Sequence, residues 1–141
     1  VDAKTFKELG GYDGKDLPIS EDMYFAYKLI MAGGKIKYVA EAKVYHSHNY
    51  TCKQQFQRNF DLGVSQADHP EVFAGVSSQN EGIALVKKTI KYLKENRKAR
   101  MIPYLILSSG CKYMGYQLGK HYKKLPYAVI IKCSSNKQYW K

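Results

Sequence analysis

The sequence predicts an α/β fold over residues 1–66, followed by basic amphipathic α-helices over residues 81–141. Apolar residues repeat with a helical period from residue 21 and again from about residue 51, and two short β-rich runs lie between these segments. In the second region, apolar stripes run beside lysine-rich faces. Residues 67–80 are polar and contain proline and glycine, and they are expected to link the two regions.

The first predicted helix covers Lys4 to Leu9 and ends at Gly10 and Gly11, because glycine adopts the positive φ of a helix end without penalty. Ser20 is then expected to be the N-cap of a second helix, since Ser is a preferred cap residue. Phe25, Leu29 and Ala32 keep the helical period of this second helix, and the glycine pair at 33–34 ends it.

Two short strands are expected after this helix. The run KIKYVA at 35–40 alternates Ile36, Tyr38 and Ala40 with two lysines and a valine, which is the period of a strand. The run AKVYHSH at 42–48 is rich in residues that favour strands. These two runs are the β part of the predicted α/β fold.

Helical patterns return for the rest of the chain. In CKQQFQRNFDLGV, Phe56, Phe60 and Val64 lie four residues apart on one face. Pro103 is expected to open the last long helix, in which Gly115 and Gly119 leave room for close packing. Two further apolar stripes predict helices; they are Ile83, Val86, Ile90 and Leu93, and then Leu107, Cys111, Met114 and Leu118.

Composition and charge narrow the class of protein. A hydrophobic content of 45% excludes a disordered chain. The net charge of +11 is concentrated in residues 81–141, which hold 14 basic and 2 acidic residues, and this asymmetry favours an anionic partner. Three widely spaced cysteines are typical of neither a disulfide framework nor a thiolate zinc site, which favours a cytosolic protein with reduced thiols.

Glu21 and Asp22 are adjacent acids at the predicted start of the second helix. Acids in the first turn interact favourably with the helix dipole, which accounts for such a pair without any catalytic role. The same pair can act on a substrate if the surrounding motifs belong to an enzyme. The local pattern alone leaves both interpretations open.

The motifs around the acids appear in a specific order: LGGYDG upstream, SED at the helix start, AGGKIKYVAEAKVYHSHNYT after it, and then QQFQRNFDLGV. This ensemble resembles the C-terminal half of family 2 glycosyltransferases of GT-A fold, most closely the bacterial rhamnosyltransferase-like members. The resemblance covers residues 4–66 well and continues loosely in LGKHYKKLP and the closing QYW. It implies the C-terminal, acceptor-side half of a GT-A domain with short strands.

The resemblance implies roles for residues near the acid pair. Asp22 would be the catalytic base that accepts the proton of an acceptor hydroxyl, and Glu21 would support it. The GGYD loop would bind substrate through Gly11, Tyr12 and Asp13, with Gly11 allowing close backbone approach and Asp13 binding a sugar hydroxyl.

His46 would help to hold a divalent metal on the diphosphate of the donor, and His48, two residues further on, would face the same way on a strand. Because hard metals such as Mg²⁺ prefer oxygen ligands, histidine favours Mn²⁺ over Mg²⁺. Arg58 could contact a phosphate. Alternatives to these binding roles stay open. HSH can instead be a polar strand end with exposed imidazoles, and Arg58 can instead lie on a solvated helix face.

The resemblance implies an inverting glycosyltransferase that moves a sugar, with rhamnose as the candidate, from a nucleotide diphosphate to a saccharide or lipid-linked acceptor. The chain departs from the family pattern at Gly14, Tyr24 and Gly34, which leaves the acceptor undetermined. It also contains no nucleotide-binding strand and no Asp-x-Asp motif. We therefore expect a piece of a larger enzyme that is inactive alone and exposes an apolar edge that favours self-association.

Two rival classes remain. One is a basic module that binds a polyanion, although no nucleic-acid motif is recognisable; the other is an inactive scaffold on the transferase fold. The lysine-rich helices suit an anionic membrane surface and equally suit packing on the rest of the enzyme. The expected location is the cytoplasm, peripheral to the inner face of the cell membrane.

Overall fold

The computed structural model describes residues 1–12, 17–73 and 78–141, and for 78–80 the backbone only. Its regular structure there is entirely helical, with two 3₁₀ turns at Ala99–Met101 and Tyr122–Lys124. The α-helices are α1 (Ala3–Glu8), α2 (Glu21–Met31), α3 (Cys52–Asp68), α4 (Pro70–Phe73), α5 (Ser78–Glu95), α6 (Ile102–Lys120) and α7 (Tyr127–Cys133).

The prediction of an α/β fold with two short strands, and with it a GT-A half built on those strands, is wrong for the part of the chain that the structure describes. Residues 35–50 contain no strand. Local turn bonds occur instead, from the Ala42 amide to the Val39 carbonyl at 3.2 Å and from Lys43 to Glu41 at 2.9 Å. A strand needs a neighbouring backbone to complete its hydrogen bonds, and alternation in sequence does not supply that neighbour.

Local sequence signals set the start of α1, the start of α3 and the C-terminal ends of α1 and α2. The Asp2 side chain caps α1 by accepting hydrogen bonds from the amides of Lys4 and Thr5. Thr51 and Gln54 form a reciprocal capping box at the start of α3. Positive φ angles at Gly10 (83°), Gly11 (55°) and Gly33 (84°) confirm the predicted glycine ends of α1 and α2.

The main packing contact joins α3 to α6 through glycine. A Cβ on Gly115 would lie 2.9 Å from the carbonyl carbon of Phe56 and closer still to its oxygen, and a Cβ on Gly119 would meet the Phe60 carbonyl in the same way. From the other side, a Cβ on Gly63 would lie 2.8 Å from the Lys120 nitrogen. The backbones of the two helices are therefore in direct contact, which confirms the predicted role of Gly115 and Gly119.

The core lies where α3, α6 and α7 meet. Phe60 and Val64 are completely buried, and Ile130 of α7 is buried against them. Partly buried residues complete this cluster; they are Leu118, Tyr122, Leu125, Cys133 and Trp140. The predicted α3 stripe is confirmed at Phe60 and Val64. The predicted division of the chain at 67–80 stays a prediction, although helices from either side of it pack together.

The buried face of α6 differs from the predicted stripe. Leu107 and Met114 are 60% and 58% exposed, whereas Gly115, Tyr116 and Gly119 are buried. The predicted stripe is wrong at Leu107 and Met114, because close backbone approach selects the face that carries the glycines. Its last member, Leu118, is partly buried against the core. Within the described ranges, none of the helices combines the length and apolar character that crossing a bilayer demands.

Candidate functional site

The acid pair lies on the surface at the start of α2. Glu21 and Asp22 are both exposed, and Oδ1 of Asp22 accepts a hydrogen bond from the Met23 amide at 2.8 Å. Ser20 occupies the predicted N-cap position, but its side chain makes no capping bond and its backbone is left-handed, with φ 73° and ψ 33°. A non-glycine residue in this conformation is uncommon and strained. The start of α2 is therefore held in place by something other than an ordinary serine cap.

Two long-range hydrogen bonds hold the residues that precede Ser20. The Ser65 hydroxyl on α3 donates to the Ile19 carbonyl at 2.8 Å, and the Asn136 side-chain amide donates to the Pro18 carbonyl at 3.2 Å. Leu17, just before them, is buried. The segment that leads into the acid pair is thus fixed from α3 and from the C-terminal end of the chain.

A buried carboxylate organises the C-terminal contact. Asp61 on α3 is fully buried, and its Oδ2 accepts hydrogen bonds from the Ser135 amide at 2.8 Å, from the Ser135 hydroxyl and from the Asn136 amide at 3.3 Å. Burial raises the pKa of Asp61 above its ordinary value, and the hydrogen bonds from Ser135 and Asn136 partly oppose that rise. The sequence analysis missed this residue; its one local signal is an acid beside the apolar stripe at Phe60 and Val64.

The predicted substrate loop reaches α2 through aromatic rings. Phe6, Tyr12 and Phe25 form a mutual cluster, with ring centroids 5.1–5.4 Å apart. Phe25 lies one helical turn after Asp22, so the cluster places Tyr12 beside the helix that carries the acids. A Cβ on Gly11 would lie 2.9 Å from the Phe6 ring, so glycine is required for this turn as well as for its φ. Asp13 lies outside the described residues.

The residues predicted to bind metal and phosphate lie in a row of contacting side chains, here called the column, that runs from His46 through His48 and Tyr50 to Arg58. His46 and His48 make an edge-to-face contact with centroids 4.3 Å apart, His48 stacks on Tyr50 at 4.8 Å, and the Arg58 guanidinium lies 4.9 Å from the Tyr50 ring centroid. His46, His48 and Arg58 are exposed. Across the described ranges, no group of three His, Cys, Asp or Glu side chains is arranged to hold a metal ion. The two imidazoles are brought together, and the acid pair lies outside this column.

The sequence motifs resemble those of glycosyltransferases, and the known proteins that are similar to this chain are also glycosyltransferases, whose names refer to O-antigen chains. The O-antigen chain rhamnosyltransferase WbaN of Salmonella anatum is 43% identical to this chain over 139 residues. The O-antigen chain rhamnosyltransferase RfbN of Salmonella typhimurium is 42% identical over 139 residues. Both matches cover 96% of this chain, which spans 43% of the length of either relative.

No protein-family model and no solved structure matches the chain. The similarity to the two rhamnosyltransferases supports the resemblance in its coarser form, a rhamnosyltransferase-like glycosyltransferase. It extends over the basic helices as well as over residues 4–66, because the matches include nearly every residue of the chain.

Proposed function

We propose that the protein containing this chain is an inverting glycosyltransferase of family 2 type in O-antigen synthesis. It transfers a sugar, rhamnose, from a nucleotide diphosphate to a growing saccharide on a lipid carrier. The observation that carries the proposal is the similarity to two O-antigen chain rhamnosyltransferases over 96% of the chain. The expectation that residues 1–141 alone are inactive stays a prediction.

Asp22 is the proposed catalytic base. Its carboxylate is exposed at a helix start whose position is fixed by long-range hydrogen bonds, so an acceptor hydroxyl can approach it. In an inverting transfer this hydroxyl attacks the anomeric carbon as the nucleotide diphosphate leaves from the opposite face. Removing the proton of the hydroxyl raises its nucleophilicity, and a positioned base contributes roughly 10²–10⁴-fold. Glu21 is adjacent and also exposed, and its negative charge supports Asp22 as the acceptor of this proton.

Substrate binding is assigned to the turn before α2 and to the column near α3. Tyr12 is 54% exposed and its ring packs on Phe6 and Phe25, so the open side of the ring can contact the apolar face of a sugar. Gly11 keeps the backbone of this turn free of a side chain. Arg58, held over Tyr50, offers a guanidinium to the diphosphate.

A divalent metal fits the column only in part. His46 and His48 supply two neighbouring imidazoles, and nitrogen ligands favour Mn²⁺ over Mg²⁺. The remaining ligands would have to come from the diphosphate or from other residues of the protein. If His46 is a ligand, His46→Ala should weaken activation by Mn²⁺ more than His48→Ala does. Equal and metal-independent behaviour of the two variants would count against a metal role.

The test of the base uses Asp22→Asn in the full-length protein. Turnover should fall at least 100-fold, equivalent to about 3 kcal/mol in the barrier, because the amide cannot accept the proton. Glu81→Gln is a matched control, since Glu81 is also an exposed acid in the first turn of a helix, α5. It should lose the same dipole interaction, roughly 0.3–1 kcal/mol of stability, without loss of turnover. Near-normal transfer by Asp22→Asn would return the acid pair to a helix-dipole role.

The basic helices are assigned to an anionic membrane at the cytoplasmic face, where a lipid-linked acceptor would lie. On α5, exposed lysines at 87, 88 and 94 accompany the exposed apolar side chains of Ile83 and Leu85. Each basic residue near such a surface contributes about 1 kcal/mol. The full-length protein should sediment with vesicles that contain anionic phospholipid, and binding should fall as salt rises. Absence of binding at low salt would refute this role, and self-association stays a prediction.

A further inference from the structure

Asp61 is a buried carboxylate that the proposed reaction does not use. It lies on α3 with no solvent exposure, and its Oδ1 has no hydrogen-bond partner in the structure. Burying a carboxylate is unfavourable unless its hydrogen bonds compensate. Its other oxygen, Oδ2, meets three donors, all from Ser135 and Asn136. What Asp61 holds is therefore the short segment that follows α7.

That segment is connected directly to the start of α2. The Asn136 backbone amide is held by Asp61 and by the Ser134 hydroxyl, at 3.3 and 3.0 Å. The side-chain amide of the same residue donates to the Pro18 carbonyl at 3.2 Å. One residue, Asn136, therefore joins the buried carboxylate to the segment that enters the acid pair.

The backbone between this contact and the acids is strained. Ser20 has φ 73°, a left-handed conformation that residues other than glycine rarely adopt, and its side chain makes no capping bond in compensation. Such a conformation persists when the surrounding contacts determine it. Here the contacts are the bonds to Pro18 and Ile19, and the next two residues along the chain are Glu21 and Asp22.

We propose that Asp61 and Asn136 are positioning residues for the acid pair: Asp61 fixes the C-terminal turn, Asn136 fixes Pro18, and the left-handed Ser20 then sets the direction of Asp22. This inference rests on the proposed role of Asp22 as the base. Loss of the Asn136 amide lets Ser20 relax and moves the carboxylate. Displacement of a catalytic group by about 1 Å can lower a rate roughly 100-fold.

The experiment compares Asn136→Ala and Asn96→Ala in the full-length protein. Asn96 at the end of α5 is the matched control, because its side-chain amide also donates to a backbone carbonyl, that of Tyr92, at 2.9 Å. Asn136→Ala should lower kcat by about 10–100-fold with the donor KM within about twofold, and Asn96→Ala should leave both unchanged. Asp61→Asn, which keeps an acceptor oxygen, should retain more turnover than Asp61→Ala.

A double-mutant cycle separates positioning from loss of folded enzyme. Partial unfolding would reduce the active fraction equally in any background, whereas positioning requires the Asp22 carboxylate. Asn136→Ala should therefore lower kcat by less than about twofold further in an Asp22→Asn background. A loss of the same size in both backgrounds, or an unchanged kcat for Asn136→Ala, would overturn the inference and leave the base intact. Normal turnover of Asp22→Asn alone would overturn the proposed base, and the positioning role with it.

Discussion

Replacing Gly115 by alanine should destabilise the protein, because the backbones of α3 and α6 touch at this point. The added Cβ would lie 2.9 Å from the carbonyl carbon of Phe56 and 3.1 Å from its Cα, where ordinary contacts begin near 3.4 Å. The obstacle is backbone, which cannot rotate away as a side chain can. The helices must separate by roughly 0.5–1 Å, which forfeits a quarter to a half of the dispersion attraction along the contact.

The size of the effect follows from a matched substitution in the same helix. Gly110→Ala adds a Cβ with no heavy atom within 4 Å beyond its chain neighbours and its own helical backbone, so it should show only the gain in helix propensity, about 0.8–1 kcal/mol. Gly115→Ala has the same gain and, in addition, an overpacking penalty of about 1–3 kcal/mol. The propensity term cancels in the comparison. The two variants should therefore differ by about 1–3 kcal/mol, with Gly110→Ala the more stable.

Hydrogen exchange of peptides from α3 is the most direct assay, because it reports the local contact whatever the rest of the full-length protein does. Gly115→Ala should accelerate exchange in residues 52–68, and Gly110→Ala should leave it unchanged or slow it. The calorimetric midpoint is a second measure, and it should be lower for Gly115→Ala than for Gly110→Ala. If the two variants are equally stable and equally protected, the direct backbone contact does not exist in solution.

Three further predictions concern stability. The pKa of Asp61 is raised in the folded state, so protonation of Asp61 stabilises the native state and this stabilisation is lost as pH rises. The thermal midpoint of Asp61→Asn relative to wild type should therefore increase from about pH 4 upward. A decrease would contradict the burial argument. Tyr122→Phe removes the hydrogen bonds of 2.7 and 2.9 Å from the Tyr122 hydroxyl to the Asp68 carboxylate. It should lower the free energy of unfolding by about 1 kcal/mol in a urea titration. An unchanged midpoint would show that hydrogen bonds to water replace these bonds without loss of stability. Thr51→Ala should destabilise α3 by about 1 kcal/mol through loss of the capping box with Gln54, visible as faster exchange of its first turn, whereas Thr51→Ser should not.

Much of the helical structure could be predicted because its causes are local. Gly10 and Gly33 end helices through a backbone freedom that each glycine carries by itself. The candidate base could also be named from sequence, as the acid pair belongs to motifs that resemble a glycosyltransferase family. Local pattern could not decide whether the two predicted strands at 35–40 and 42–48 form. Alternation is a local property, whereas strand pairing depends on a second backbone that the pattern does not specify.

By itself, then, the sequence determined the approximate positions of α1, α2, α3, α5 and α6, the concentration of positive charge after residue 80 and the acid pair at the start of α2. The tertiary structure alone decided that Leu107 and Met114 of α6 stay exposed, and that Asp61 lies in the core. It also joined Pro18 to Asn136, 118 residues away. The physical reason is distance along the chain: a helix completes its hydrogen bonds within four residues, but such a contact exists only once the helices between have packed.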